Sequence, residues 1–303
     1  MATRQPAPRE RDTVGLVGLG LMGSALAYRL LAAGHAVLGF DVVPDRREAL
    51  RAQGGRTAPS AADVAHACRR ILLSLPDSRV VRTVLHGMGG RLGGGRIVVD
   101  TTTGTPGDAA GMGAWLAARD TAYLDATISG NSDQLRKREV VVLAGGPPAV
   151  FKESRDLFNA FAREAFLLGP WGRGAEMKLV TNLVLGLNRA VLAEGLAFAS
   201  ALGFDPVRTL AVLRASPAYS RSMDVKGDKM VRGDFSPVAR LSQHRKDVRL
   251  ILEAGRRARA RLPLSRTHLK LLDQAVAAGL GGLDNSAILR ILGGNAWPSP
   301  SPA

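Results

Sequence analysis

The amino-acid sequence predicts an α/β protein, with a doubly wound parallel sheet in the first half and an all-α domain in the second. In the first half, short apolar runs alternate with helical stretches, which is typical of parallel strands covered by helices. After Gly172 this alternation stops, and long stretches with helical periodicity follow. We therefore predict a sheet domain over residues 12–169, a helical domain over 170–295, and flexible tails at 1–11 and 296–303.

Six runs in the first half are predicted as buried strands, because each is short, largely apolar and followed by turn-forming or polar residues. They cover residues 14–17, 36–40, 70–75, 96–100, 122–125 and 140–144. In the second half, a scarcity of helix breakers and apolar periodicity predict helices. These cover residues 176–202, 207–215 and 242–259.

The composition is typical of a soluble globular protein. Of the 303 residues, 46% are hydrophobic and 22% are charged, which excludes disordered and collagen-like classes. No apolar run approaches the roughly 20 residues of a membrane span, and residues 1–12 lack the apolar core of a secretion signal. A single cysteine, Cys68, excludes an internal disulfide framework and fits a reducing compartment. We expect a cytoplasmic protein with no membrane partner.

The net charge of +15 raises the question of a polyanionic partner. The 41 basic residues are spread along the chain, with short clusters only at 136–138 and 256–261, and few aromatic residues lie near them. Solvated helix faces explain this distribution, so we predict no nucleic-acid partner. The histidines and Cys68 lack the spacing of metal ligands, so no metal site is predicted.

A glycine-rich loop follows the first predicted strand and opens a helix. Its first glycine permits a tight turn, its second lets the backbone approach a pyrophosphate, and its third lets helix and strand pack closely. Amides at the helix N-terminus hold the negative charge. The position between strand and helix favours a Rossmann-type dinucleotide site over a structural turn. The loop consists of Gly18, Leu19, Gly20, Leu21, Met22 and Gly23.

Asp41 stands at the end of the second predicted strand, where an acid can hydrogen-bond the ribose hydroxyls of adenosine and repel a 2′-phosphate. This position predicts NAD as the preferred cofactor. Arg46 and Arg47 follow a few residues later and are cations that can bind a 2′-phosphate instead. NADP therefore stays an alternative.

Several motifs follow one another at intervals along nearly the whole chain. They lie at residues 15–23, 75–76, 100–103, 125–131, 172–182, 246–247 and 284–287. In this order they resemble the β-hydroxyacid dehydrogenases, a 6-phosphogluconate dehydrogenase-like family that includes 3-hydroxyisobutyrate dehydrogenase and tartronate semialdehyde reductase. The substrate-binding motif of the family usually reads Asp-Ala-Pro-Val-Ser-Gly-Gly. Here Thr127 replaces the proline and Asn131 replaces the last glycine.

The resemblance implies roles for residues of the first half. Ser129 and Gly130 are expected to bind the substrate carboxylate, with a plain turn as the alternative. Leu75 and Pro76 match the loop that closes over the cofactor. Thr103 is expected near the nicotinamide ribose, with a helix N-cap as the alternative.

Lys178 and Asn182 are four residues apart on a predicted helix, so their side chains rise from one face and can reach one substrate oxygen. Lys178 is the expected general acid/base, because oxidation of an alcohol removes the hydroxyl proton as the hydride leaves. Asn182 is expected to hold the oxygen or orient the amine. The resemblance places Lys246 against cofactor and substrate, whereas spacing alone predicts a surface charge.

We therefore predict an NAD-dependent oxidoreductase that acts on a small β-hydroxy acid such as 3-hydroxyisobutyrate. Alternatives are reduction of a small semialdehyde or glyoxylate, and imine reduction, which the presence of Lys178 disfavours. The alternative of a different class is a non-catalytic NAD-binding module. The apolar stretch 179–202 of the long predicted helix has more surface than one small domain can bury, so a homodimer or homotetramer is expected.

Overall fold

The computed structural model describes residues 13–294, and the chain divides after Lys178 into two compact units. Every strand of the described chain lies in one sheet of the first unit. The described part of the second unit is helical apart from one isolated bridge between Arg240 and Asp284. The predicted tails at 1–11 and 296–303 lie outside the described residues.

The sheet of the first unit has eight strands. They are β1 (Val14–Val17), β2 (Val37–Phe40), β3 (Arg56–Thr57), β4 (Arg70–Leu73), β5 (Arg96–Asp100), β6 (Thr121–Ser129), β7 (Val140–Gly145) and β8 (Ala162–Leu167). Their order is β3-β2-β1-β4-β5-β6-β7-β8, and neighbouring strands are parallel except β6 and β7. The order reverses between β1 and β4, and open α/β sheets bind ligands beyond the strand ends at such a point.

Helices pack on both faces of this sheet, which confirms the doubly wound class. They are α1 (Leu21–Ala32), α2 (Pro44–Ala52), α3 (Ala61–Ala67), α4 (Ser78–Met88), α5 (Pro106–Ala117), α6 (Ser132–Arg136), α7 (Pro148–Glu153) and α8 (Arg155–Phe161). Within β4, Leu72 belongs to one apolar core, whereas Ile71 and Leu73 belong to the other. Because successive side chains enter opposite cores, the central strands are apolar throughout.

All six predicted strands are present, but β3 and β8 were not predicted. β3 is only two residues long and lies at one edge of the sheet. β8 lies at the other edge and contains the exposed residues Arg163 and Glu164. Edge strands are paired on one side only and tolerate charged residues, so neither has the apolar pattern used for the prediction.

The described helices from Arg173 onward are α9 (Arg173–Ala201), α10 (Pro206–Ala215), α11 (Asp228–Arg232), α12 (Leu241–Arg257), α13 (Pro263–Ala277) and α14 (Leu289–Leu292). The three predicted helices correspond to α9, α10 and α12. α9 starts in the first unit and continues into the second. Among the described residues, α9 is the one helix long and apolar enough for a membrane span. This is weak evidence, because long core helices pass the same test, and the absence of a membrane partner stays a prediction.

A fully buried carboxylate organises the loops of the second unit. Both oxygens of Asp284 accept hydrogen bonds from Lys226 Nζ at 2.8 Å. The backbone N–H groups of Val238 and Ala239 donate to Oδ2, and the Ser286 hydroxyl donates to Oδ1. Because a buried ion pair must have its remaining lone pairs satisfied, this arrangement explains the polar motif at residues 284–287.

Two buried histidines lie side by side in the same unit. The rings of His244 and His268 have centroids 5.1 Å apart, and neither Nε2 has a hydrogen-bond partner in the described part of the chain. Burial and the charge of Arg189 lower the pKa of His268 to about 4, and the same causes lower that of His244 well below its ordinary value. Both rings are therefore neutral at pH 7, and a Cβ at Gly186 would lie 2.6 Å from the His244 ring.

This pair makes the second unit sensitive to acid. The pKa of His268 is lower in the folded state, so its contribution to stability is complete above pH 6.5 and is lost as the pH falls toward 4. Between pH 7 and 5 we expect the native protein to lose about 2 kcal/mol of unfolding free energy through this residue. Urea unfolding at pH 7 and pH 5 measures the change in unfolding free energy, and we expect this change to differ by that amount between the native protein and His268→Leu.

The exposed His66 on α3 offers a matched control. We expect His66→Leu to keep the pH dependence of the native protein. Equal pH dependence in the native protein and His268→Leu would contradict this account of the buried pair.

Candidate active site

The glycine loop fits tightly between β1, α1 and the end of β4. Gly18 has a φ of +93°, and a Cβ there would lie 2.1 Å from the carbonyl oxygen of Ser74. A Cβ at Gly23 would lie 1.9 Å from the carbonyl oxygen of Gly18. At Gly20 the nearest atom to a Cβ is a guanidinium nitrogen of Arg46, 3.9 Å away, so the backbone there is open to a ligand.

The remaining loop residues differ in exposure. Leu19 is buried, Met22 is half-buried, and Leu21 is 81% exposed on the first turn of α1. The N-terminal amides of α1 provide the positive end of a helix dipole beside the loop. An open backbone at Gly20, flanked by two tightly packed glycines and a helix N-terminus, is the cradle that a dinucleotide pyrophosphate requires.

Asp41 lies directly after β2 and is 6% exposed. Its Oδ2 accepts the N–H of Leu19 at 2.7 Å, and its Oδ1 accepts the N–H of Val43 at 2.9 Å. Arg46, which is half-exposed, lies 3.4 Å from Oδ2, whereas Arg47 donates to the backbone oxygen of Asp41. The carboxylate therefore links the glycine loop to the end of β2, and one exposed cation stands beside it.

Two further loops at this edge of the sheet are joined by threonines. The N–H of Leu75 donates to Thr102 Oγ1 at 3.1 Å, and the Thr101 hydroxyl donates to the carbonyl oxygen of Leu73 at 2.7 Å. Pro76 and Thr103 are both exposed on these loops. The structure thus brings the predicted cofactor loops of the first unit together.

A buried acid lies beneath the threonine loop. Asp100 accepts the N–H of Thr102 at 2.9 Å and the hydroxyl of Tyr123 at 3.0 Å. Burial raises the pKa of Asp100 to about 6, with these hydrogen bonds acting in the opposite direction. The alternative that Thr103 caps a helix is wrong, because α5 begins at Pro106 and Thr105 accepts the capping N–H.

Ser129 and Gly130 lie where β6 ends. Gly130 has a φ of +145°, and a Cβ there would lie 2.6 Å from Val140, so glycine is required. Asn131 caps α6: its Oδ1 accepts the N–H of Gln134, whose Oε1 accepts the N–H of Asn131. The departure at Asn131 therefore stabilises the helix after the predicted carboxylate-binding residues. Thr127, which replaces the proline of the motif, is buried, and its hydroxyl lies 3.4 Å from the carbonyl oxygen of Gly174.

Lys178 and Asn182 are both half-buried on α9. At about 100° per residue, the side chains of Lys178 and Asn182 leave the helix in directions about 40° apart around its axis. Arg189 leaves it in a direction between these two. Val180, Val184 and other exposed apolar residues occupy a stripe on the opposite side of the helix. α9 therefore has three polar side chains close to one line and an exposed apolar stripe on the opposite side.

The predicted site residues are divided between the units. The cofactor loops, Ser129, Gly130 and Lys178 belong to the first unit, whereas Asn182 and Lys246 belong to the second. Lys246 is exposed on α12. The roles of all these residues stay predictions.

Two buried acids lie in this region without a role predicted from the sequence. Asp100 and Asp125 occur in the recognised motifs at the ends of apolar runs, and that position was the available signal. In the structure, Asp125 Oδ1 accepts the N–H of Gly172 at 2.8 Å and Oδ2 accepts the N–H of Ala175 at 3.0 Å. Asp125 thus holds the start of the helix on which Lys178 lies.

Comparison with known proteins is consistent with these features. Residues 13–169 match the family model for the NAD binding domain of 6-phosphogluconate dehydrogenase. Residues 172–292 match the model described as NAD-binding of NADP-dependent 3-hydroxyisobutyrate dehydrogenase. Together the two matches cover nearly the whole described chain.

Individual relatives agree with the family models. The chain is 31% identical to 2-(hydroxymethyl)glutarate dehydrogenase of Eubacterium barkeri over 92% of this chain and 94% of the relative. It is 30% identical to 2-hydroxy-3-oxopropionate reductase of Escherichia coli over 92% and 96%. The crystal structure of 3-hydroxyisobutyrate dehydrogenase from Salmonella typhimurium superposes with a TM-score of 0.84, at 29% identity, covering 92% of this chain and 99% of that one.

The tight packing of the third glycine provides a test of the cofactor cradle. We expect Gly23→Ala to weaken NADH binding at least tenfold, because the new methyl would lie 1.9 Å from the Gly18 carbonyl oxygen and displace the loop. Titration of NADH fluorescence measures the dissociation constant. Gly87→Ala, on α4 with open space around it, is the control and should bind NADH as the native protein does. Native affinity in Gly23→Ala would contradict the assignment of this loop.

Proposed function

The chain belongs to the β-hydroxyacid dehydrogenase family of NAD(P)-dependent oxidoreductases, and we propose that it oxidises a small β-hydroxy acid such as 3-hydroxyisobutyrate. The observation that carries the proposal is the pair Lys178 and Asn182, which are both half-buried and lie one turn apart on α9, with the exposed apolar stripe on the opposite side of the helix. The names of the two relatives described above also denote small hydroxy acids.

Bound nicotinamide supplies the hydride acceptor for this oxidation. The neutral amine of Lys178 takes the hydroxyl proton from the substrate. When the reaction runs as a reduction, the protonated amine returns a proton. Asn182 donates a hydrogen bond that orients the substrate oxygen. The hydroxyl of Ser129 and the N–H of Gly130 bind the carboxylate, and Lys246 supplies a second cation for the anionic ligands.

We propose NAD as the preferred cofactor. Asp41 places a carboxylate beside the glycine loop, and this charge repels a 2′-phosphate. The half-exposed Arg46 pairs with that carboxylate and reduces the repulsion, so it is the feature that favours NADP. Assays with both cofactors decide between them.

Reduction of a small semialdehyde or glyoxylate is the second candidate function. It uses the same residues in reverse, with Lys178 donating the proton to the forming alkoxide. The name of the Escherichia coli relative, a reductase of 2-hydroxy-3-oxopropionate, favours this direction. For either direction we propose a soluble, cytoplasmic enzyme.

Removal of the lysine tests the proposed chemistry. We expect Lys178→Ala to lower kcat by about 10²–10⁴-fold, because the proton then has no positioned acceptor. Formation of reduced nicotinamide is measured with a panel of hydroxy acids and with NAD and NADP in parallel. Lys152→Ala, which removes an exposed lysine of α7, serves as the control and should retain native kcat.

Three results would count against the proposal. Native kcat in Lys178→Ala would exclude the lysine as acid/base. Turnover only with semialdehydes, only in the reducing direction, would favour the second candidate. Absence of all turnover despite NADH binding would favour the non-catalytic module.

We also propose that the chain forms a homodimer or homotetramer through the apolar stripe of α9. Four apolar side chains on this stripe lie within about 40° of one line and are each more than half exposed. A contiguous apolar stripe of this kind is typical of a protein interface. The residues are Val180, Val184, Val191 and Phe198.

Light scattering at micromolar concentration tests this assembly. We expect the native protein to be at least a dimer and Val191→Asp to dissociate, because the new charge would be buried in the interface. Val212→Asp, at an exposed position on α10, should keep the native mass. A monomeric native protein would contradict the proposal.

A further inference from the structure

We infer that Asp125 is a positioning residue for the reaction: its carboxylate holds the first turn of α9 against β6 and thereby fixes where Lys178 lies. This inference rests on the proposed role of Lys178. Asp125 itself is not expected to contact the substrate, because it is 2% exposed and its two oxygens already accept backbone N–H groups.

The residue before α9 is Gly172, which has no side chain, and the hydrogen bonds to Asp125 take the place of a side-chain cap. The first N–H groups of an α-helix have no partner within the helix, and they carry the positive end of its dipole. The caps of α4, α5 and α10 come from the residue directly before each helix: Asp77, Thr105 and Asp205. At α9 the accepting carboxylate comes instead from a strand, about 50 residues earlier in the chain. This cap therefore ties the helix to the sheet.

Two glycines pack closely against the carboxylate of Asp125 and restrict its position. A Cβ at Gly174 would lie 2.7 Å from Asp125 Oδ2 and 2.4 Å from the carbonyl oxygen of Leu143. A Cβ at Gly145, the residue paired with Asp125 across β6 and β7, would lie 2.5 Å from Oδ1. Because backbone packs against both oxygens, the start of α9 cannot shift without breaking a hydrogen bond or making a clash.

The neighbours of Asp125 along β6 contact the same segment. The indole N–H of Trp171 donates to the backbone oxygen of Tyr123 at 2.9 Å. Thr127 lies on the other side and approaches the carbonyl oxygen of Gly174. Residues 171–175 are thus held along a stretch of the strand, with Asp125 at the centre.

Lys178 follows Ala175 by one helical turn, with no loop between them. Since an α-helix moves as a rigid rod over one turn, any displacement of Ala175 is passed to the base of the lysine side chain. A misplacement of about 1 Å at a reacting group can cost up to about 100-fold in rate. Asp125 therefore acts on the chemistry through the position of Lys178.

The test compares Asp125→Asn and Asp125→Ala with the native enzyme. We expect kcat to fall at least tenfold in Asp125→Ala and by less in Asp125→Asn, which keeps one acceptor oxygen. The dissociation constant of NADH should stay within twofold, because the cofactor loops are untouched. Hydrogen exchange of the amides at residues 173–178 should accelerate at least tenfold in Asp125→Ala.

Two further variants keep the test decisive. Gly174→Ala retains the carboxylate but pushes the helix from it, so it should lose kcat at least tenfold even if Asp125→Ala does not fold. Asp205 caps α10, because its Oδ1 accepts the N–H of Arg208. Asp205→Ala removes this cap and should keep kcat within twofold. This control separates positioning from a general loss of helix stability.

Native kcat in both Asp125→Ala and Gly174→Ala would overturn the inference, as would unchanged exchange at residues 173–178 in Asp125→Ala. Failure of the proposed function has a different signature. If Lys178→Ala keeps native kcat, the lysine is not the acid/base, whereas the exchange rates still decide whether Asp125 holds the first turn.

Discussion

Two buried carboxylates on adjacent strands hold the parts of the first unit on which the proposed chemistry depends. Asp100 at the end of β5 and Asp125 on β6 are direct partners in the parallel register of the sheet. Asp100 fixes the threonine loop next to the predicted nicotinamide region, and Asp125 fixes the first turn of α9. Sheet register therefore sets the positions of a cofactor loop and of the turn leading to Lys178 together.

This arrangement is costly in stability. Burial raises the pKa of each of the two carboxyls to about 6, which means that the ionised forms are disfavoured in the fold. The contribution of each to stability therefore decreases as the pH rises from about 4 to about 6. Residues that serve only stability are rarely arranged in this way, whereas functional sites commonly break such local rules.

The sequence allowed prediction of those features that depend on nearby residues. The glycine loop could be recognised because Gly18 and Gly23 meet the requirements of a single strand-turn-helix unit. The central strands could be recognised because both faces of the sheet are buried, which makes each strand a continuous apolar run. The roles of Asp100 and Asp125 depend instead on sheet register and on a helix about 50 residues away, which no local pattern records. The pairing of His244 with His268 likewise depends on the packing of α12 against α13.

Local competition explains the smaller errors. Thr103 and Thr105 are equally good helix caps by residue type, and Pro106 at the first helical position decides for Thr105. Asn131 replaces the last glycine of the substrate-binding motif, and Gln134 three residues later completes a capping box with it. In both cases the deciding residue was present in the sequence.

Chemical rescue of Lys178→Ala by methylamine tests the central claim most directly, namely that the amine of Lys178 moves the proton. The variant is assayed with its hydroxy-acid substrate and NAD at increasing methylamine concentration. We expect the rate of nicotinamide reduction to rise with the concentration of the free base, because the small amine can occupy the space of the missing side chain. A variant that binds NADH with native affinity but gains no activity from the amine would contradict the account.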